Sequence, residues 1–554
     1  MSSSLSTEQP RVSELALVRF GILYDGGTLQ SWQLRALEHL LALKCAHAIS
    51  LIVARDASAA EDDTNRRSMP ERLNALPIVT LTLDSECTER IESTPSTAVR
   101  SAAFARLEDY KLDFVLSFLD DSCPSELLEI PRYGVWRYHF GDWFHNRGDP
   151  VGFWEVYEGR TISSALLLRQ QQNASAAIIL REGHLRTNLL SCAENKRQLL
   201  TRFAHWPAQV CTDIRHGATD RVAGPVVRTA APVRELPNRW QTLNCRLHTL
   251  VRAARIALRS LLRHDQWNIA LVDQPIASFL HSRPTSVRWL ARTKRSELRA
   301  DPFALVHEGQ QRILCEHFSY RDNRGYIVAL NPDDDAVATR VDIGPQPPVH
   351  MSYPYLLYEQ GRVLCLPESS EAREVACYEL QRFPDRWVRV ATLLRGEAIV
   401  DATVFRHGEY WWLAGSEVAP KGANCELHLW YAQAVSGPWV AHPGNPVKID
   451  VRSSRSGGTP FLHDGVLYRP AQDCSNTYGA RVIINRIHTL TPIAFHEEPV
   501  ATVAPDPSGP YPDGLHTLSQ FGNLTLIDGK RRIFVPAEFH RVLMKTLRSI
   551  GRIR

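Results

Sequence analysis

Ala300-Asp301-Pro302-Phe303-Ala304-Leu305 runs through a polar turn into Arg312-Ile313-Leu314-Cys315-Glu316, and this pattern appears five times between Asp301 and Asp528. The second copy is Ser352-Tyr353-Pro354-Tyr355-Leu356-Leu357, a Gln360-Gly361 turn, and Val363-Leu364-Cys365-Leu366-Pro367-Glu368. The third is Asp401-Ala402-Thr403-Val404-Phe405, His407-Gly408, and Tyr410-Trp411-Trp412-Leu413. Gly458-Thr459-Pro460-Phe461-Leu462, Asp464-Gly465 and Val466-Leu467-Tyr468-Arg469-Pro470 make the fourth. Leu515-His516-Thr517-Leu518, Gly522-Asn523 and Leu524-Thr525-Leu526-Ile527 make the fifth, closing on Asp528-Gly529. Tight Gly-containing turns between β-rich runs are the strongest short-range hairpin signal, so each copy reads as strand, turn, strand. A spacing of roughly 50–57 residues is the period of a propeller blade rather than of a helical solenoid. This half is expected to be an all-β, five-bladed propeller.

At 554 residues the chain suggests about two to four domains. With 44% hydrophobic and 22% charged residues it can bury sizeable cores. A net charge of +4 is close to balance and argues against a nucleic-acid partner. Eleven cysteines, with no C-x-x-C pair and no metal-ligand spacing, fit reduced thiols better than a disulfide framework or a metal site. The start, MSSSLSTEQP, lacks a basic-then-apolar pattern, and no apolar run approaches the roughly 20 residues of a membrane span. The expectation is a soluble cytoplasmic protein. Its oligomeric state is left open.

Residues 1–15 are polar and Ser-rich and read as disordered. Leu17 to Tyr24 is a buried strand, Thr28 to Lys44 has helical periodicity, and Ala48 to Ala54 is a second strand. That is a βαβ unit, which implies a parallel sheet. Further strands are expected at Ile78–Leu83 and Asp113–Phe118, a β-hairpin over Thr161–Leu168 and Ala176–Leu180, and helix over 186–215. The expected organisation is an α/β Rossmann-like domain over 16–215, a linker with a basic helix over 216–264, the propeller over 265–540, and a basic tail over 541–554. The helix, Leu243 to Arg263, carries Arg246, Arg252, Arg255, Arg259 and Arg263 beside an apolar stripe. Two readings apply to it: a connecting helix packed on one face, or peripheral contact with an acidic membrane.

The run from Asp113 to Leu180 resembles the formyltransferase fold of methionyl-tRNA and sugar-amine formyltransferases. Ile130-Pro131-Arg132-Tyr133-Gly134, Arg137-Tyr138-His139 and Arg147-Gly148-Asp149-Pro150 carry the resemblance. It implies formyl transfer from N10-formyltetrahydrofolate to an amine, through an Asn, a His and an Asp. His139 matches the histidine, but Arg137 stands at the Asn position and Asn173 at the Asp position. Either Asp142 replaces the lost acid, or this half serves as a binding or scaffold domain. Arg147 also fits a plain turn, and His139 a structural histidine.

The propeller half resembles the N-terminal domain of the plant glucosamine inositolphosphorylceramide transferases. The matching residues include Ala300-Asp301-Pro302-Phe303, His350-Met351-Ser352-Tyr353-Pro354, Phe383-Pro384-x-x-Trp387, Arg469-Pro470-Ala471-Gln472-Asp473-Cys474, Tyr478-Gly479 and His516-Thr517. The resemblance implies a glycan or glycolipid pathway, with a carbohydrate, nucleotide-sugar or glycolipid as substrate. More distantly the domain is similar to arabinanase- and fructosidase-type glycoside hydrolases, which set acids from successive blades around the channel mouth. An oxocarbenium-like transition state needs one carboxylic acid and one carboxylate about the bond. Asp301, Asp401 and Glu368 are the catalytic candidates, with Glu316 at the position in the first blade that Glu368 holds in the second. His350, Arg469, Gln472, Asp473, Tyr478 and His516 would hydrogen-bond sugar hydroxyls, with Tyr353 and Trp411 or Trp412 as stacking faces. Each acid alone also fits a turn cap or a tie between blades. The resulting expectation is a protein of glycan or glycolipid assembly, with amine formylation and non-catalytic recognition as its rivals.

Overall fold

Turn chemistry sets the blades. Glu308-Gly309, Gln360-Gly361 and Asp464-Gly465 hold both residues at positive φ (47° and 78°, 50° and 78°, 49° and 74°), which matches the twist of a two-residue hairpin. The computed structural model describes residues 17–56, 71–83, 102–119, 123–145, 147–220, 222–262, 264–334, 337–418 and 422–534. The expected disordered start and basic tail lie outside these residues. The chain forms two compact units: Met1–Trp154, Ser163–Gly183 and Cys192–Pro237 in one, Glu155–Ile162, His184–Ser191 and Asn238–Arg554 in the other.

The N-terminal sheet has eight strands. They are β1 (Val18–Tyr24), β2 (Ala46–Asp56), β3 (Ile78–Leu83), β4 (Phe114–Ser117), β5 (Val135–Phe140), β6 (Ile162–Gln170), β7 (Ala176–Arg186) and β8 (Val226–Arg228), in the order β3-β2-β1-β4-β5-β6-β7-β8. The first five pair in parallel. Strands of a parallel sheet are covered on both faces and read as continuous apolar runs, and Phe20, Ile22 and Leu23 with Phe114, Val115 and Leu116 are all buried. The helix between β1 and β2, Ser31–Ala42, buries Ala36, Leu37 and Leu40, which completes the expected βαβ unit. From β5 to β6 the pairing turns antiparallel.

The second unit carries five antiparallel sheets of four or five strands, each the blade of a propeller. Blade 1 begins at Glu297–His307, blade 2 at Ser352–Glu359, blade 3 at Ile399–His407 and blade 4 at Phe461–His463. Blade 5 is composite. Its inner strands, Leu518–Phe521 and Leu524–Ile533, come from the end of the repeat region, whereas His264–Val272 and Val287–Trp289 come from before blade 1. His264–Val272 pairs antiparallel with Leu524–Ile533 from His264↔Ile533 to Val272↔Thr525, and this ladder closes the ring. Apolar residues of blades 1 to 3, among them Leu305, Leu314, Leu357, Leu364, Val404 and Leu413, form one buried cluster. Among the described residues no helix is long and apolar enough to cross a membrane, and the ten described cysteines are free.

Candidate functional site

Three blades carry the same irregularity near the start of the inner strand. Register passes from Ala300↔Glu316 to Phe303↔Leu314, from Ser352↔Glu368 to Tyr355↔Leu366, and from Val400↔Ser416 to Thr403↔Ala414. Each shift is one extra residue, a β-bulge, which re-aims a side chain. The re-aimed residues are Asp301, Tyr353 and Asp401, at φ 54°, 41° and 50°. Left-handed backbone at non-glycine residues is strained, and such strain gathers at functional sites. The register also places Glu316 and Glu368 opposite the residues just before the bulges.

These side chains meet across blades. Asp301 of blade 1 accepts from the backbone N–H of Tyr353 at 3.3 Å and from the Thr517 hydroxyl at 3.0 Å. Its own N–H donates to Asp528 at 3.2 Å. Asp528 accepts from His516 Nδ1 at 2.5 Å and from the backbone N–H groups of His516 and Thr517 at 2.9 and 3.1 Å. His516 Nε2 lies 3.7 Å from Asp301, and its ring stacks on Trp267 at 4.0 Å. Asp528, His516 and Asp301 thus form a carboxylate–imidazole–carboxylate chain. Their donor atoms lie within 4.8 Å of one another, a cation-sized grouping, but the Nδ1 of His516 is already committed to Asp528.

Asp401 of blade 3 is gripped from blade 4. Arg455 donates to both its oxygens, at 2.6 and 3.3 Å, and Gln472 donates at 2.8 Å. Tyr353 reaches across the centre. Its hydroxyl contacts Thr403 at 3.0 Å, donates to the Gly458 carbonyl at 3.2 Å and accepts from the Gly458 N–H at 2.9 Å. The backbone comes so close at Gly458 that a Cβ there would overlap the Leu518 carbonyl. Glu368 accepts from Ser352 at 3.1 Å and from Ser370 at 2.9 Å. His350 Nδ1 accepts from the Gly325 N–H at 2.9 Å, so its proton sits on Nε2, which faces Glu316 at 3.5 Å.

Several carboxyl groups in little water cannot all ionise. Burial, then the neighbouring charges of Asp401 and Asp301, pushes Glu368 up to about 8, against the pull of Arg455. Burial and the surrounding acids hold Glu316 well above the usual carboxylate range. Asp301 is raised by burial and by Asp401 and Asp528, with His516 opposing, to about 6. Burial works against charge on His516, but Asp528 and Asp301 outweigh it and hold the imidazole above its ordinary value. The centre therefore contains a proton donor, Glu368, and a carboxyl poised near neutrality, Asp301. Environments that separate two carboxyl groups in this way mark acid and base roles.

Not every expected ligand residue is placed to bind sugar. Arg469 is buried against Glu497, with bonds of 2.9 and 2.6 Å, and against the carbonyls of Ser453 and Ser454. Asp473 caps the Ser475 N–H and pairs with Arg481. Tyr353 and Trp412 are fully buried and offer no stacking face, and Trp411 packs against the core of blades 1 to 3. Tyr478 is partly exposed, with the Arg455 guanidinium over its ring at 5.1 Å and the His516 ring edge-on at 5.3 Å. Asp528, Arg455 and Thr517 were missed. Asp528-Gly529 reads locally as a strand-ending turn, and Arg455 lies in a loop whose partner is 54 residues away.

Among the described residues, those behind the formyltransferase resemblance do not assemble into a reaction centre. His139 is buried, its Nε2 has no hydrogen-bond partner, and burial together with Arg137 and Arg147 lowers its pKa to about 3. Asp142 does not replace the lost acid: it caps the Phe144 N–H and pairs with His145 at 2.9 Å. Asn173 closes a local turn onto Ser175. Arg147 ties the carbonyls of Ala231 and Ala174. The cavity beside Arg137 measures about 70 Å³, below the roughly 300 Å³ at which small-molecule sites begin.

Residues 257–508 match the family model described as "Glucosamine inositolphosphorylceramide transferase 1, N-terminal". Glucosamine inositolphosphorylceramide transferase 1 of Oryza sativa subsp. japonica is 32% identical over 206 residues, 36% of this chain and 28% of that protein. The Arabidopsis thaliana protein of the same name is 32% identical over 207 residues, 36% of this chain and 27% of that protein. The match thus spans little more than a quarter of these relatives. Among solved structures, Zg3597, a family 117 glycoside hydrolase of Zobellia galactanivorans, aligns with TM-score 0.32 and 12% identity over 48% of this chain and 90% of its own. An exo-β-1,3-galactanase from Clostridium thermocellum aligns with TM-score 0.30 and 10% identity over 38% of this chain and 52% of its own.

Proposed function

We propose that the propeller centre processes a sugar in glycan or glycolipid assembly, with a glycosylated inositolphosphoryl headgroup as the substrate class. The observation that carries this reading is that two buried carboxyl groups of neighbouring blades are pushed apart, Glu368 up to about 8 and Asp301 to about 6. Both keep some solvent access, at 8% and 5%, whereas Asp401 and Asp528 have 1% and 0%. The first two are the reacting pair and the second two position them. Glu368 protonates the glycosidic oxygen as the bond to the anomeric carbon breaks, and Asp301 takes the proton of the attacking hydroxyl. His516, kept protonated by Asp528, is the group that favours the anionic form of Asp301. Tyr478 supplies the rim face on which a pyranose ring stacks. The similarity to the plant transferases supports the glycolipid class. The N-terminal unit, whose buried His139 has its imidazole held neutral, is read as a recognition or scaffold domain.

The test is turnover of synthetic glucosaminyl- and glycosyl-inositol phosphates by the full chain. Glu368→Gln and Asp301→Asn are each expected to lower turnover by about 10²- to 10⁴-fold while the melting transition is retained. Unchanged turnover in both variants would overturn the assignment.

A further inference from the structure

The helix Arg239–Leu262 has 24 residues, five of them arginine and none acidic. One face packs within its own unit: Arg252 donates to the Val156 carbonyl at 2.5 Å and His248 lies against Tyr157. The opposite face is bare. Trp240 is 74% exposed and Leu250 68%, and Leu243, Leu247, Val251 and Leu258 are exposed with them. At 3.6 residues per turn these six fall within an arc of roughly 100°, the width of the stripe that an ordinary surface helix turns towards a core, while Ile256, also exposed, lies outside it. Arg239 and Arg246 flank one side of that arc, Arg255 and Arg259 the other, and all four are exposed.

We propose that this helix lies in the plane of an anionic lipid surface, with the Trp240–Leu258 stripe among the acyl chains and the flanking arginines at the phosphates. Charge selects this occupant. A second copy would set five arginines against five. The chain's own C-terminal segment is also basic, with Arg541, Lys545, Arg548, Arg552 and Arg554 against a lone Glu538 after residue 534, and is repelled in the same way. An apolar stripe between two rows of cations is the pattern of helices that lie at a lipid interface, and an exposed tryptophan at one end is an interfacial anchor. The inference goes beyond the proposed glycan chemistry and does not depend on it, because vesicle binding is read without any turnover.

The experiment is flotation of the full chain with vesicles of phosphatidylcholine alone or with about one third phosphatidylserine. The chain is expected to float with the anionic vesicles, to stay behind with the neutral ones, and to dissociate as salt rises. Leu243→Ser/Leu247→Ser/Leu250→Ser should abolish flotation. Arg246→Gln/Arg255→Gln/Arg259→Gln should lower partitioning on the order of 100-fold, about five-fold per charge. All six positions are exposed, so both variants should melt with the parent, and a parent-like melt is required of each. No flotation with anionic vesicles, parent-like flotation of both variants, or a dimer that the leucine variant converts to monomer would each overturn the proposal.

Discussion

A carboxyl group that titrates near pH 8 inside the fold and near 4.5 outside it binds its proton more tightly when folded, and Glu368 is such a group. Between those values the native state holds a proton that the unfolded chain has released. The stability contributed is complete below about pH 4.5 and is lost as pH rises towards 8. His516, also raised, works in the same direction. Asp528, held low by His516 in spite of its burial, works in the opposite one, losing its contribution as pH falls. Comparing Glu368→Gln with the parent isolates the one residue, because glutamine keeps the shape and has no proton to release. Urea midpoints taken from pH 5 to 8.5 should fall more steeply for the parent than for the variant. Parallel profiles would show that Glu368 is already ionised at neutral pH and could not be the acid.

At the scale of elements, hairpins were legible and bulges were not. Gln360-Gly361 and Asp464-Gly465 announce their turns, because positive φ at consecutive residues favours such pairs. The extra residue at Asp301, Tyr353 and Asp401 leaves no separate local mark, so their recurrence showed that these positions matter without showing that the backbone there is left-handed. Arg469 is the complementary case. A cation on an apolar strand reads as a ligand for substrate, yet its partner Glu497 lies 28 residues on, in Ala494–Val503. A buried pair of this kind is worth little against an apolar replacement of both partners, but removing one leaves a stranded charge. Arg469→Met should therefore cost about 3 kcal/mol, the lower end of that range, because Lys448 still reaches Glu497 at 2.8 Å. Arg469→Met/Glu497→Leu should recover most of the loss. Urea unfolding of the two variants decides it, and a double variant as weak as the single one would mean that the pair does more than neutralise itself.

For the whole molecule, five repeats were readable and the way the ring closes was not. The fifth copy supplies two strands of a four-stranded blade, and the other two come from before the first copy, where no repeat signals them. The closing ladder joins residues roughly 260 apart, a loop whose entropic cost grows only slowly with its length. Closure and the site share a strand. Asp528 sits in Leu524–Ile533, and its bonds to the backbone of Asp301, His516 and Thr517 depend on where that strand lies. Ala270 is the point at which to test this. It is fully buried in the middle of its sheet, paired with Ile527 on one side and Trp289 on the other. Proline there removes an N–H from the ladder and crowds the neighbouring strand, at a cost on the order of 3 kcal/mol. Ala270→Pro should lower the urea midpoint and weaken glycan binding in the same preparation, because an open fifth blade no longer holds Asp528 beneath Asp301. Loss of stability with glycan affinity unchanged would separate ring closure from the site, and the chain of contacts from Asp528 to Asp301 would then not be what sets it.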